Sequence, residues 1–403
     1  MSEKYRSPKL RELTLFERED FLSHYLHRSK DDLSPLKFGG LTIDTANQLI
    51  ENVVGLFALP LALAQNFLID GKDYLIPMCS EESSIVAGSS KAAKIMREAG
   101  GITTKIDNPI ATGQIQLILK SSQAKNNFGE IIDKHKPELI EFGNQVIPSL
   151  LDRGGGIKDI YARPIIDTRV GHMLIVHVDI DTRDAMGANI VNSVVEHLSP
   201  ELESITHSRA NLKILTNLTA KRLSRACVSI PTSRFSKNTL SRFIEAQVMA
   251  EVDPYRAATH NKGIFNGIDA VALATGNDTR AIEAGGHAYA ARSGTYSALT
   301  NWDLDQDQLS GKLELPLAVG TVGGLTKIHP VAQLSLEILG ISTSQELASI
   351  MVSAGLAQNF AALLALVTTG IQAAHLPLHH RLTTTHPNPK FDPTGVSLNS
   401  SSE

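Results

Sequence analysis

The sequence predicts an α+β fold: a large mixed helical and sheet domain interrupted by a small ferredoxin-like insertion. Three observations predict it. A chain of 403 residues exceeds what one hydrophobic core usually serves, so two domains are expected. Between about residues 110 and 217 the apolar rhythm reads strand, helix, strand, strand, helix, strand, the split β-α-β-β-α-β motif. On either side of that segment the rhythm is helical, or apolar and punctuated by glycine.

The elements follow in order. In "SIVAGSSKAAKIMREAGG", Ser83 or Ser84 can cap a helix whose apolar face is Ile85, Ala92, Ile95, Met96 and Ala99; Gly100 and Gly101 stop it. "TGQIQLILK" alternates polar and apolar residues, which suits a half-buried strand. Residues 122–150 are polar and helix-like, with Ile131, Ile132, Leu139 and Ile140 as apolar points. "KDIYARPIIDTRVGHMLIVHVDIDT" reads as two strands joined by a tight turn at Val170-Gly171. A helix follows from Asp184 with Ile190, Val191, Val194, Val195 and Leu198 inward, and "NLKILTNL" supplies the last strand. After Asn217 long helices and loops are expected, the clearest helices being "IEAGGHAYAARSG" and "SQELASIMVSAGLAQNFAALLALVTTGIQAAH". The ending "TTTHPNPKFDPTGVSLNSSSE" is rich in Thr, Ser, Pro and Asn and is expected to be unstructured. The division is therefore 1–109 with 218–373 as the large domain, 110–217 as the small one, and 374–403 as a tail.

Composition narrows the function. Hydrophobic content of 42% and charged content of 20% are ordinary for a soluble globular chain. A net charge of -4 with scattered Lys and Arg offers no basic field, so no nucleic-acid partner is expected. Cys79 and Cys227 are too few for a disulfide framework or a zinc-spaced set, which suits a reducing compartment. The charged N-terminus lacks the apolar stretch of a secretory signal. The apolar run "VVGLFALPLALA" is short and holds a proline, whereas a bilayer needs roughly 20 residues. A cytoplasmic protein without a membrane contact is expected.

Several segments could carry chemistry. In "TRDAMGANIVNSV", Asp184 lies where a strand gives way to a helix and Gly187 lies in the first turn. That pattern suits a phosphate at a helix N-terminus, and equally a plain Asp cap. No GxGxxG precedes an acidic residue, so a Rossmann domain is not indicated. "VGTVGGLTKIHP" lacks the Gly-Lys-Ser/Thr ending of a P-loop and reads as a tight loop between packed elements. His375 and His379 stand four apart, but Pro377 between them and the absence of HExxH argue against a metal site. Asp278 precedes a helical stretch and can cap it; Glu82 precedes the helix at Ser84 and can complement its dipole. Lys262 is different, because an ammonium among small and glycine residues needs a counter-charge.

Taken together and in this order, "ENVVG" (51–55), "EESSIVA" (81–87), "DAMGAN" (184–189), "DPYRAATHNKGIFNGID" and "ATGND" resemble the signatures of hydroxymethylglutaryl-CoA reductase, most closely its membrane-free class II. "VGTVGGLTK", "LAQN" and a late histidine fit as well, so the resemblance runs from about Arg11 to His380. It implies reduction of 3-hydroxy-3-methylglutaryl-CoA to mevalonate and CoA by two equivalents of NAD(P)H, through a hemithioacetal and mevaldehyde, with no metal. By resemblance, Lys262 is the cation that stabilises the carbonyl oxygen, its glycine neighbours letting substrate reach a buried ammonium. Asp278 sits beside it and sets its charge, Glu82 supplies a proton, and His375 protonates the departing thiolate. Arg256, Ser84 and Asn266 match substrate contacts. Arg11, the "ENVVG" segment and Gln358 match the CoA side. Asp184, Met186, Gly187, Asn189 and Asn217 match dinucleotide contacts. The resemblance further implies a homodimer with sites shared between the subunits, and possibly a higher oligomer.

Departures from the family pattern add expectations. Ungapped counting back from "DAMGAN" puts Ile147 where NAD-selective members carry an aspartate, which favours NADPH over NADH. Only 28 residues follow His375, where the family forms a mobile flap, and Pro377 falls on that flap's first helix. A catalytically weak relative that binds acyl-CoA as a sensor or scaffold is the alternative that this shortening suggests.

Overall fold

The structure, a computed structural model, describes residues 8–120 and 127–370; the expected tail with His375 lies outside them. The chain enters through α1 (Leu15–Leu26), opened by a capping box between Thr14 and Glu17, and α2 (Ile43–Leu49). Leu10, Leu22 and Leu33 pack here against Leu334 and Ile338, tying the start of the chain to its end. β1 (Leu61–Ile69) and β2 (Lys72–Cys79) form an antiparallel hairpin. Its turn, Asp70-Gly71, has φ of 48° and 78°, the left-handed pair that Asp-Gly adopts readily. α3 (Ile85–Glu98) follows where its apolar spacing predicts, and β3 (Thr103–Ile106) leads into the insertion.

The insertion comprises β4 (Ile110–Ile118), α4 (Phe128–Asn144), α5 (Pro148–Leu151), β5 (Gly156–Thr168), β6 (Gly171–Asp181), α6 (Ala188–Thr206) and β7 (Arg209–Leu215). Its strands pair antiparallel in the order β5-β6-β4-β7. β4 and β5 are thus parallel to each other with β6 between them, and β6 and β7 flank β4 in the same way. Each is a split β-α-β unit, the ferredoxin-like topology. Alternate residues Leu174, Val176, Val178 and Ile180 face one side and meet Val191, Val194, Val195 and Leu198 of α6, the face expected for that helix. Ile190 is only partly buried.

Beyond the insertion the expectation of helices and loops needs correction. β8 (Leu223–Pro231), β9 (Thr300–Leu304) and β10 (Gln308–Pro316) join β3 in a second antiparallel sheet, order β3-β8-β10-β9. Leu309, Leu313 and Leu315 alternate inward from β10, a period of two in a short segment. Around this sheet lie α7 (Lys237–Val252), α8 (Pro254–Ala274), α9 (Thr279–Ala290), α10 (Gly324–Ile328), α11 (Pro330–Leu339) and α12 (Ser344–Val367). The large core draws only on residues before Ile110 and after Leu215, and the small core only on residues between them.

α12 is apolar on every side. Among the described residues it is the one helix long and apolar enough to cross a membrane, yet 72% of its apolar window is buried inside the protein. A helix without a polar face belongs in a core, and this one packs on α8, α3, α7 and the sheet. Gly267 sets how close α8 approaches it: a Cβ there would lie 2.6 Å from the Ala354 carbonyl oxygen.

Candidate active site

α8 begins with Asp253 accepting from the Tyr255 amide at 3.0 Å and Pro254 at the first helical position, and it then runs unbroken for 21 residues. Residues three or four apart share a helical face, so Lys262, Asn266 and Asp269 line up along one side. Lys262 finds its counter-charge in Glu82: Nζ lies 2.9 Å from Oε2. Glu82 hangs on the short link between β2 and α3, where its amide donates to the Ser80 hydroxyl at 3.1 Å. Next to it Ser84 holds φ 79°, a left-handed conformation uncommon for a side-chain-bearing residue. The Lys262 side chain is 61% exposed and that of Glu82 36%, so the expected buried ammonium lies open in a single chain. Gly263 beside it faces open space, and Gly267 serves the α8–α12 crossing.

Arg256, on the first turn of α8, is half-buried and makes no hydrogen bond or ion pair with any described residue. Burial lowers its pKa, the response of a guanidinium short of water. Its charge and burial together hold His260, one turn on, neutral down to about pH 3, burial being the larger cause. His260 instead bonds Thr300 at 2.5 Å and Asn359 at 3.0 Å and anchors α8 to β9 and α12. Gln358 is also structural in its contacts: buried on α12, it accepts from the Ser89 hydroxyl at 2.6 Å and braces α3. Arg11 is exposed beside Glu12.

Asp278 does not reach Lys262 within the chain. Twelve helical steps of α8 separate Lys262 from Ala274, about 18 Å at the helical rise. Asp278 caps α9, accepting from the amides of Arg280 at 3.0 Å and Ala281 at 3.2 Å and pairing with the Arg280 side chain. The expected neighbours are thus held apart by the helix that carries one of them. Between the two, Asp269 faces Glu283 of α9; burial, then the Glu283 charge, push the Asp269 carboxyl up to about 8.

Asp278 keeps company with the other half of the candidate set. The adjacent Asn277 accepts from the Gly320 amide at 2.8 Å, and Gly320 lies so close to Met186 that a Cβ would sit 2.6 Å from the Met186 nitrogen. Gly285 of α9 presses as closely on the Asn217 carbonyl oxygen. "VGTVGG" is therefore a packing loop, as its sequence suggests, wedged between α9 and the turn into α6. Asp184 is not the cap of α6. Gly187 holds that position at φ 109°, while the Asp184 carboxylate accepts from the Ser344 amide at 2.9 Å, at the start of α12. Asn189 is exposed on the first turn of α6, and Met186 is half-buried. Ile147 is 7% exposed inside the small core, so no cofactor contact can come from its side chain. Any choice of cofactor through a residue near this point must use an exposed neighbour.

Arg222, which no sequence motif marks, is 3% exposed beneath the Asp184–Gly187 turn. Among the described residues no cluster of three His, Cys, Asp or Glu could hold a metal ion.

Comparisons with known proteins place the chain in one family. The family model described as hydroxymethylglutaryl-coenzyme A reductase matches residues 14–380. A 3-hydroxy-3-methylglutaryl-coenzyme A reductase of Archaeoglobus fulgidus is 47% identical over 380 residues, covering 93% of this chain and 86% of the relative. A probable reductase of the same name from Borreliella burgdorferi is 31% identical over 93% of this chain and 85% of its own. Among solved structures, the class II 3-hydroxy-3-methylglutaryl-CoA reductase of Streptococcus pneumoniae bound to NADPH in open conformations superposes with a TM-score of 0.84 at 40% identity. It covers 89% of this chain and 98% of its own.

Proposed function

The chain belongs to the hydroxymethylglutaryl-coenzyme A reductase family, and on that premise we propose how its residues share the reaction. It interconverts 3-hydroxy-3-methylglutaryl-CoA and mevalonate plus CoA with NAD(P)H. NADPH, the ligand of the S. pneumoniae relative, is the reductant we assign, and it supplies a hydride in each of two steps.

Residues 1–109 and 218–373 act as the large domain that binds substrate and CoA and forms the dimer, and 110–217 as the dinucleotide domain. The two separate cores support this division. The first turn of α6 suits the pyrophosphate: Gly187, Ala188 and Asn189 have amides without an acceptor among the described residues, at the positive end of a 19-residue helix. Arg256 suits the free carboxylate of the glutaryl group, because a half-buried guanidinium without a partner among the described residues is ready to take a two-point hydrogen bond. Ser84 and Asn266 are the further substrate contacts that the motifs imply. Lys262 stabilises the carbonyl oxygen as it becomes anionic, and Glu82, already in contact with the ammonium, delivers a proton to it. His375 keeps the role of thiolate protonation that its motif implies.

Lys262 with Glu82 forms one half-site and Asp278 with the dinucleotide turn the other. A homodimer joins the Lys262 half of one subunit to the Asp278 half of its partner. The apolar surface at Val54 and Phe57, and at Val252 and Tyr255, suits burial against a second copy. A cytoplasmic location suits a chain whose most apolar helix is inside its core.

The observation that carries this reading is the 2.9 Å Lys262–Glu82 contact, while Asp278 pairs instead with Arg280. Mixing unfolded Lys262→Ala and Asp278→Asn variants and refolding them together tests it. Half the dimers are then mixed and one of their two sites is intact, so about a quarter of wild-type activity should return. No recovery, with mixed dimers demonstrated, would sink the shared site.

A further inference from the structure

We infer that Arg222 is a positioning residue for the dinucleotide: it pins the carbonyls of the turn before α6 inward and so turns the amides of that helix N-terminus out toward phosphate. This rests on the α6 reading above.

Arg222 stands just before β8, in the large domain. One of its terminal nitrogens, Nη1, donates to the Met186 carbonyl at 3.4 Å, and to the Ala185 carbonyl and the Thr182 hydroxyl at 3.5 Å each. The other, Nη2, donates to the Val319 carbonyl at 2.5 Å. One planar group thus reaches three points on the turn and one on the loop packed against it. A lysine, with its donors at a single point, cannot span them.

The consequence for the amides follows from the peptide plane. In a trans peptide the C=O and the N–H point opposite ways. Drawing the Met186 carbonyl toward Arg222 therefore aims the Gly187 N–H away from it. The Gly187 N–H, with those of Ala188 and Asn189, has no acceptor among the described residues. Successive free amides at such a turn make an anion-binding concavity. Gly187 at φ 109° permits the turn, and its Cβ-free face fits against Thr182, where a Cβ would lie 2.6 Å from that side chain.

Arg222 also brings charge. Burial lowers its pKa to about 10, with Asp181 and Asp184 acting in the other direction, so it stays cationic at neutral pH. Among the described residues no carboxylate lies within ion-pair distance of it; Asp181 pairs with Arg183 and Asp179 with Lys221. A buried cation behind a row of outward amides reinforces their attraction for phosphate. Arg222 touches no substrate in this arrangement; it acts through the turn.

The test compares Arg222→Met and Arg222→Lys with wild type, measuring NADPH binding by nucleotide fluorescence and KM for each substrate. Both variants should bind NADPH at least about tenfold more weakly, the usual cost of losing hydrogen bonds from a charged group. KM for the CoA ester should stay within about twofold, since Arg256 and Lys262 are untouched. A folded variant with unchanged NADPH binding overturns the proposal, and so does an equal loss for both substrates, which marks a merely structural arginine. Asn189→Asp, which sets a negative charge beside those amides, separates this from failure of the site itself. If it too leaves NADPH binding unchanged, the α6 reading fails; if it weakens binding while the Arg222 variants do not, only the Arg222 role fails. Should neither variant fold, hydrogen exchange on the wild type decides: NADPH should slow exchange at Gly187 and Ala188, and unaltered exchange there overturns the proposal.

Discussion

The two half-sites on this chain are built differently. Around Lys262 the ammonium is exposed and its polar neighbours are half-buried, and among the described residues one ion pair joins them. Around the turn into α6 they are interlocked: Arg222 grips three points of the turn, Asp184 holds the start of α12, and Asn277 holds Gly320. The difference separates a surface that needs a second body from one that is finished within its own chain. The half we assign to the dinucleotide is cross-linked by hydrogen bonds within one chain. The half we assign to the substrate would owe its dryness, and so most of its electrostatic strength, to what closes over it.

Substitutions can break or sharpen this contrast. The largest effect belongs to Lys262→Ala. Loss of a preorganised cation at a developing oxyanion should lower kcat by about a hundredfold or more. NADPH affinity, measured by fluorescence, should be unchanged, and a parallel loss would show that the halves are not independent. Gly267→Ala comes next. Its Cβ would press on the Ala354 carbonyl oxygen, a backbone atom that cannot swing aside. Overpacking of this kind costs about 1–3 kcal/mol, read as a lower midpoint in denaturant. It should disturb the Lys262 half first, visible as a raised KM for the CoA ester before any change for NADPH.

The smallest effect concerns Asp269, at the joint between the halves. Its carboxyl is raised from 3.8 to about 8 in the fold, so the folded chain keeps a proton that the unfolded chain has lost. Stability from this group is therefore full below pH 4, declines as pH rises, and is gone above about pH 8. Asp269→Asn removes that decline. Between pH 5 and pH 8 its thermal midpoint should fall less than the wild-type midpoint, by about 2 °C. Parallel pH profiles for the two proteins would show that the carboxyl pair does not share a proton.

How much of this was legible in the sequence depended on the range of the interactions. The small domain was readable because its signals are local: alternation in "TGQIQLILK", the turn at Val170-Gly171, and the apolar face of α6. β8, β9 and β10 were missed because five to nine residues carry a weak rhythm and their pairing is distant. The hairpin at Asp70-Gly71 did carry a local signal, the Asp-Gly pair, that went unused. Arg222 has no local signal at all; in "AKRLSRAC" it is one basic residue among three, and its acceptors lie some forty and a hundred positions away. The candidate residues were found through motifs, but their grouping was not. Lys262 and Asp278 are close in sequence and were expected together. Reading Asp253-Pro254 as a helix start would have exposed the separation, since everything to Ala274 then falls on one rod.

That rod has an evolutionary consequence. Inserting one residue anywhere between Lys262 and Ala274 would advance everything beyond it by about 1.5 Å and rotate it by roughly 100°. No gradual drift in length is open to this stretch, because the smallest permitted step already points a reactive group at the wrong wall. Indels in lineages of this enzyme should therefore collect in the loops and spare these thirteen positions, leaving the spacing as a molecular ruler older than the surfaces around it.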